Sequence, residues 1–161
     1  MSIFNSKFDL VTEETHAAPT AFAVMLDVAR AGASFDANGT WVPGSITAGT
    51  VVMLDAGGKA VPAAHPASGA APVMPLVVID GTDTFSGAFT SKVTCLVSGF
   101  QMKTDQFVSG DIAQFTKGAP VSFAAGKVAK WESGKQVLGF VGVDGFDAGK
   151  GVLHVVVLPR V

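Results

Sequence analysis

The sequence predicts a mainly β fold, a barrel-like or sandwich domain of short antiparallel strands with an extended N-terminal arm. The first observation is a repeat: "GTVVMLDAGGKAVPA" (49–63) and "GAPVSFAAGKVAKW" (118–131) each join two apolar runs through a small-residue turn containing Gly-Lys. The second is that, from Lys92 onward, short apolar runs recur about every 8–12 residues between glycine-containing turns. Both patterns are typical of a sandwich or barrel.

The repeated phrase predicts two β-hairpins of similar construction. Neither copy contains a nucleophile, a paired carboxylate or a set of metal ligands, so the repeat indicates architecture rather than chemistry. Two such hairpins closing on each other would remove sheet edges, which otherwise invite aggregation. The alignment pairs Gly49 with Gly118, Val52 with Val121, Leu54 with Phe123, and Gly58-Lys59 with Gly126-Lys127 after a one-residue gap.

The N-terminal part divides into an arm, residues 1–20, and the start of a β-domain that runs over residues 21–161. The arm carries Phe4 and Phe8 on an otherwise polar segment. Residues 21–31, "AFAVMLDVARA", fit both a helical stripe and a strand alternation. Because the clearer segments of the chain are strand-like, we expect a strand here.

The middle of the chain is punctuated by turns. Asn38-Gly39 favours a type I′ hairpin, since both central residues of that turn need positive φ. Residues 62–75, "PAAHPASGAAPVMP", are a Pro/Ala-rich linker that we expect to stay extended and to contribute no core. Residues 76–80 predict a short buried strand, and the loop after them presents Phe85 and Phe89.

The composition excludes several classes of partner. Charged residues make up 15% of the chain, against about 25% in typical domains. We therefore expect partners to cover part of the surface, and the chain to self-associate as a dimer or trimer. The net charge of −2 with scattered basic residues argues against nucleic acid. Apolar runs well below about 20 residues predict no membrane span, and the N-terminal residues do not resemble a secretory signal.

No catalytic or metal constellation emerges from the sequence. The histidines His16, His65 and His154 share no ligand spacing, and His154 fits a hydrogen-bonded strand residue. Cys95 lies in an apolar alternating run, which predicts a buried, inert thiol. Because nucleophile-elbow and phosphate-loop motifs are also missing, we expect no enzyme, no cofactor and no metal. A rival hypothesis places a small hydrolase or a sugar-binding module at four carboxylates: Asp80, Asp83, Asp144 and Asp147.

The aromatic residues point to burial. The chain has 12 Phe, 2 Trp and no Tyr, whereas wet binding platforms favour Tyr and Trp, whose polar tips suit a hydrated surface. Isolated Phe residues on polar segments have no local core to join, so we expect them to contact a neighbouring subunit or another protein. We expect five partner-binding residues: Phe4, Phe8, Leu10, Phe85 and Phe89.

The C-terminal segment carries a family resemblance. Residues 110–159, which include "GDIAQFTKGAPVSFAAGKVAKWESGKQVLGFVGVDG" and "GVLHVVVLP", resemble the C-terminal β-domain of head decoration (cement) proteins of tailed bacteriophages. Phe140, where a Tyr would be expected, and the linker at 62–75 depart from that pattern. The similar features are Gly110-Asp111 leading into Gly118, the Val121–Phe123 strand, Gly126-Lys127, Gly134-Lys135, Gly139 and the final apolar strand.

This resemblance implies a non-enzymatic structural protein of the virion. Such a protein would be made in the host cytoplasm and would bind the major capsid protein on the capsid exterior, where it would stabilise contacts between capsomers. Weak contacts repeated over a lattice gain strength from multivalency. Two alternatives stay open: a small carbohydrate- or host-surface-binding β module, and another structural protein of the phage head or tail.

Overall fold

The computed structural model describes residues 7–11, 21–25, 34–35, 41–42, 47–67, 69–80, 92–97 and 99–158. These residues form short strands and a single 3-10 helix, Ser109–Gln114. The strands are β1 Phe8–Leu10, β2 Ala21–Met25, β3 Ser34–Phe35, β4 Trp41–Val42, β5 Val51–Leu54, β6 Ala60–Pro62, β7 Leu76–Asp80, β8 Lys92–Leu96, β9 Phe100–Thr104, β10 Pro120–Ala124, β11 Lys127–Lys130, β12 Gly139–Asp147 and β13 Val152–Val157.

The strands form two main sheets and a small ribbon, all antiparallel. The larger sheet has six strands in the order β1-β9-β13-β12-β10-β11, the second has five in the order β2-β8-β7-β5-β6, and β3 pairs with β4. The prediction of a mainly β fold of short antiparallel strands is confirmed. The barrel-like form is corrected, because the end strands of each described sheet do not pair with each other and both sheets stay open.

The predicted hairpins are present, and their entry turns match. β5–β6 and β10–β11 are antiparallel hairpins. Before the first, Gly49 has φ +88° and donates its N–H to the carbonyl of Val78 at 2.7 Å; before the second, Gly118 has φ +79° and donates to the carbonyl of Val141 at 2.9 Å. The aligned glycines thus occupy the left-handed region that disfavours other residues, and they make the same contact with the neighbouring strand.

The repeat extends beyond the hairpins to two five-stranded halves. The first half, β2 with β5–β8, has the same strand order as the second half, β9–β13. In both halves a register shift interrupts the pairing, after Val78 in β7 and after Val141 in β12. The matching rows of directly paired residues are Val51, Val77, Leu96 and Ala21 in the first half, and Pro120, Phe140, Val156 and Gln101 in the second.

The two halves share one core but use different faces to build it. Val51 and Val77 of the first half lie in the same buried cluster as Val121 and Val155 of the second. The position equivalent to Val51 is Pro120, which points away from that cluster, whereas Val121 corresponds to Val52. The first half therefore packs against the second with one face of its sheet, and in the second half the equivalent face points away from the shared core.

The first-half sheet is buried on both faces, and its sequence reflects this. Its other face contributes a second buried cluster of Val52, Ala60, Leu76, Val78, Val93 and Cys95. Continuous apolar runs such as "LVVI" follow from this double burial, because neither set of alternate side chains faces water. In contrast, β9 reads "FQMKT" with strict alternation of buried and half-buried residues, as expected for a sheet with one open face.

The structure describes parts of the two N-terminal segments for which strands were predicted. Residues 21–25 form β2, so the strand interpretation is confirmed there, while residues 26–31 lie outside the described residues. Strands β3 and β4 pair antiparallel as a hairpin, but Phe35 lies opposite Trp41, whereas a two-residue type I′ turn at Asn38-Gly39 would place it opposite Val42. The turn residues themselves also lie outside the described residues.

The Pro/Ala-rich segment is docked rather than a free linker. Its described residues after Pro62 form no helix or strand, yet Ala63 is fully buried in the main core. The expectation that this segment contributes no core is therefore wrong. Gln136 fixes the segment at two points. Its backbone N–H donates to Nε2 of His65 at 2.6 Å, and its side-chain amide both accepts from the N–H of Val73 at 3.1 Å and donates to its carbonyl at 2.8 Å.

Candidate functional site

Two of the five predicted partner-binding residues pack against their own chain. Phe8 and Leu10 lie in β1, pair with Thr104 and Met102, and are half-buried against the main core. The expectation that they lack a local core is therefore corrected. Alternation explains the result, because Phe8 and Leu10 flank Asp9 and so project to one face of a strand. Phe4, Phe85 and Phe89 lie outside the described residues, and their role stays a prediction.

Strand β1 is anchored at both ends. Lys7 donates its backbone N–H to Oδ2 of Asp105 at 2.8 Å and accepts the N–H of Asp105 at 3.0 Å, while Val11 donates to the carbonyl of Gln101 at 3.0 Å. Gly49 leaves room for the paired residues Phe8 and Thr104, since a Cβ there would collide with the Thr104 hydroxyl and lie 3.2 Å from the ring of Phe8. Among the described strands β1 pairs with β9 only, so its other edge has no strand partner within the described part of the chain.

A cleft of mixed charge opens over strand β9, at the turn between β12 and β13. Its volume is about 440 Å³. Because both signs of charge are present, the cleft suits a polar protein surface better than a ligand of single charge. Its ionisable lining consists of Lys103, Lys117, Lys150, Asp144, Asp147 and His154.

The closest charge pair in this cleft joins strands β9 and β12. Nζ of Lys103 lies 2.6 Å from Oδ2 of Asp144. The hydrogen bond from Lys103 lowers the pKa of the Asp144 carboxyl, and the same contact raises the pKa of Lys103. Both groups are thus charged at neutral pH, and neither is suited to exchange a proton with a substrate there.

His154 lies beneath this pair and serves the architecture. Its side chain is 2% exposed. The backbone N–H of Asp144 donates to its Nδ1 at 3.2 Å, so the neutral ring carries its proton on Nε2, which donates to Oε1 of Gln101 at 2.8 Å. A Cβ on Gly142 would lie 2.6 Å from Nδ1, so glycine is what lets the ring lie on β12. The interpretation of His154 as a hydrogen-bonded strand residue is confirmed.

The carboxylates of the rival hydrolase or sugar-binding hypothesis are only partly brought together. Asp144 and Asp147 line the same cleft. Asp147 accepts the backbone N–H of Lys150 at 3.1 Å, which closes the turn between β12 and β13. The side chain of Asp80 and the whole of Asp83 lie outside the described residues. Each placed carboxylate therefore has a structural contact.

A second cleft, of about 590 Å³, lies between the docked Pro/Ala-rich segment and the loop 133–136. His65 lines it, with Nδ1 at 2.9 Å from the carbonyl of Pro66. Beside it, Trp131 is 38% exposed and donates its indole N–H to the carbonyl of Lys135 at 2.8 Å. The polar tip of Trp131 is thus occupied, and its ring is what remains for contacts.

The remaining chemistry is buried or structural. Burial raises the pKa of the Cys95 thiol to about 12, which confirms the prediction of a buried thiol. Among the residues that the structure describes, no three His, Cys, Asp or Glu side chains come together as a metal site. Within the same part of the chain, no helix is long and apolar enough to cross a membrane.

Comparison with known proteins gave no match to any family model, to any curated protein or to any solved structure. The functional reading therefore depends on the geometry described above and on the resemblance of residues 110–159. Sequence reasoning missed the pairing of β1 with β9 and the cleft beside it. The one available signal was the short alternation Phe8-Asp9-Leu10.

Proposed function

We propose that the protein is a structural component of a tailed-phage virion, which binds the outer surface of the capsid and stabilises contacts between capsomers. The resemblance to head decoration proteins supports this proposal, and it covers strands β10–β13 of the second half. The low proportion of charged residues, 15%, also suits a protein that works while covered by partners.

The observation that carries the proposal is the edge of β1 opposite β9, which has no strand partner among the described residues. A short edge strand offers backbone N–H and C=O groups to a further strand, and peptide recognition by strand addition uses such an edge. A separate space beside Phe8 and Asp9 shares Lys103 and Lys150 with the mixed-charge cleft, so the two spaces are neighbours. The major capsid protein would pair with β1 and place polar side chains in the cleft.

The residues that precede β1 extend this contact. The chain enters the sheet edge at Lys7, so Phe4 would reach the same partner surface. Burying one Phe side chain stabilises a contact by roughly 1.5–3 kcal/mol. Because decoration proteins act as many copies on a lattice, modest contacts of this size add up through multivalency.

The test uses expanded shells assembled from the major capsid protein encoded in the same genome. The informative variant deletes residues 2–6, since this keeps Lys7–Val11 and therefore β1; a deletion reaching residue 15 would uncover the core and confuse binding with folding. We expect an unchanged melting temperature and at least about tenfold weaker binding to shells. Lys59→Ala, at an exposed turn of the first half, is the control and should bind normally. Unchanged binding by the deletion variant would contradict the proposal.

One observation favours the alternative of a carbohydrate- or host-surface-binding module. The ring of Trp131 is exposed beside the cleft lined by His65 and Gln136, and indole rings stack on sugars as well as on protein groups. Trp131→Ala separates the two functions. Under the capsid proposal it should leave shell binding by the monomer unchanged, whereas a sugar-binding module would lose retention on immobilised polysaccharide.

A further inference from the structure

The outer face of the six-stranded sheet carries a row of apolar residues. The internal repeat allows this row to be compared with the equivalent row of the first half. Phe140 pairs with Pro120 on one side and with Val156 on the other. Lys130 is opposite Val121, so Trp131, the next residue, extends the row beside Pro120. We call these four residues, Trp131, Pro120, Phe140 and Val156, the outer row.

The equivalent row in the first half is fully covered. Its members are 0–2% exposed, because the second half packs on them. In the outer row, by contrast, Trp131 and Phe140 are each 38% exposed. The row is thus buried in one half and partly exposed in the other, where Pro120 and Val156 are half-buried and Ser122, on the same face, is fully buried. The first-half residues, in the order of the outer row, are Ala63, Val51, Val77 and Leu96.

At two of the four positions the side chain becomes aromatic, while Val51 and Leu96 correspond to Pro120 and Val156. Where the first half has Ala63 and Val77, the outer row has Trp131 and Phe140. Aromatic residues are enriched at the centres of protein interfaces, where they bury a large area at low cost in side-chain entropy. The outer row therefore has the composition of an interface on a face whose counterpart is already one.

We propose that the outer row is the surface through which two copies of this chain associate. In the first half, the equivalent face is covered by the sheet of the second half. By analogy, we expect the outer row to be covered by a sheet of a second copy of the chain. The receiving face used within the chain is not free in a second copy: in its second half that face forms the main core, and in its first half it is buried with Val52 and Leu76. We therefore place two outer rows face to face, which gives a closed two-fold contact.

The charges beside the row suit such a contact. Lys103 and Asp144 lie towards the β9 side. At the other end Glu132 lies 2.7 Å from Lys135 and 3.3 Å from Lys130. Because each end carries both signs, neither end presents a surface of single charge that would oppose a second copy.

The size of the face sets the strength of the association. Six strands spaced about 4.8 Å apart, with about five residues each at about 3.3 Å, give a face of roughly 29 by 17 Å, or about 490 Å² per copy. Stable interfaces bury about 800 Å² per partner. The dimer is therefore weak, with dissociation in the micromolar range or above.

Sedimentation velocity of the full chain alone, from about 1 μM to about 500 μM, tests this surface. The wild-type mass should rise with concentration from the monomer value of 16.4 kDa towards the dimer. Phe140→Glu and Trp131→Glu should each weaken dimerisation at least about tenfold. The matched control is Leu54→Glu, because Leu54 is 40% exposed but lies on the hairpin of the first half, away from the outer row; it should dimerise like the wild type.

Three results would overturn the proposal: a wild-type monomer over the whole range, a trimer, or equal weakening by Leu54→Glu. Thermal melting of each variant checks that it is folded, and if Phe140→Glu does not fold, Trp131→Glu at the end of the row decides. No capsid shells are present in this experiment. Failure of the dimer therefore leaves the capsid proposal standing, and the reverse also holds.

Discussion

The backbone N–H of Val51 donates to the carbonyl oxygen of Gly126 at 2.8 Å, and this bond joins the first hairpin to the turn of the second. Gly126 in turn donates to the carbonyl of Ala63, and Ala63 to that of Val51, both at 2.9 Å. The position of Val51 in the second half is Pro120, which has no N–H. The second half therefore cannot receive a turn in the same way, and the contact between the halves has one direction.

Replacing Gly126 by alanine should destabilise the protein more than the same change at its repeat equivalent, Gly58. Both have positive φ, +81° and +74°, and a left-handed alanine costs about 1–2 kcal/mol. At Gly126 the new Cβ would also lie 3.1 Å from both Pro62 and Thr50, whereas at Gly58 nothing lies within 4 Å. We expect a further loss of about 1–3 kcal/mol for Gly126→Ala from overpacking. Urea unfolding of both variants measures this, and equal losses would show that the two hairpins are not tightly docked.

Gly142 and His154 should be energetically coupled. A Cβ at Gly142 would approach the imidazole ring to 2.6–2.7 Å, so Gly142→Ala should cost about 1–3 kcal/mol of stability. In the double variant with His154→Ala the clash is gone. The loss should then be smaller than the sum of the single losses by about 1 kcal/mol or more. A double-mutant cycle from denaturant unfolding measures the coupling, and strict additivity would refute the packing described.

The hairpins were predictable because a few neighbouring residues determine each turn. Gly58 and Gly126 occupy positive φ, which glycine tolerates and other residues rarely adopt, so Gly-Lys between apolar runs is a direct signal. The full repeat of five strands was not predictable. Its register is held by backbone hydrogen bonds, and equivalent positions such as Val77 and Phe140 share only their place in the sheet.

The candidate site was less predictable than the fold. The pairing of β1 depends on only two apolar residues, Phe8 and Leu10, which is too short an alternation to specify a partner strand. The docking of the Pro/Ala-rich segment depends on Gln136, which reaches Val73 across 63 residues of sequence. Such long-range contacts between a side chain and a backbone leave no periodic pattern.

The carboxyl group of Asp144 should titrate below its usual pKa of 3.8, because Lys103 donates to its charged form. A carboxyl with a depressed folded pKa adds stability above its unfolded pKa, and this contribution is lost as the pH falls through the folded value. The pair therefore favours the folded state at neutral pH; this contribution starts to decline below the unfolded pKa of about 4 and is gone once the pH is below the lowered folded pKa. Carboxyl ¹³C NMR should show the Asp144 midpoint rising in Lys103→Gln and staying in place in Lys59→Gln. A wild-type midpoint at or above 3.8 would contradict the ion pair.

Cys95 should resist alkylation in the folded protein. Its pKa of about 12 against an ordinary 9.0 reduces the reactive thiolate about a thousandfold, and burial limits access further. Labelling with iodoacetamide near pH 8 should be at least about a thousandfold slower in buffer than in strong urea, where the thiol is solvated. Similar rates in the two conditions would place Cys95 outside the buried cluster.

The docking of the two halves is tested most directly by native-state hydrogen exchange at single-residue resolution. The amides of Val51 and Gly126, which bond across the halves, should exchange only through global unfolding. The amide of Val155 in the central strand β13 should behave in the same way. The amide of Gly58, bonded locally to Asp55 in an exposed turn, should exchange much sooner and serves as the internal reference. If Val51 and Gly126 instead exchange at the rate of Gly58 while Val155 stays protected, the halves are not docked as described.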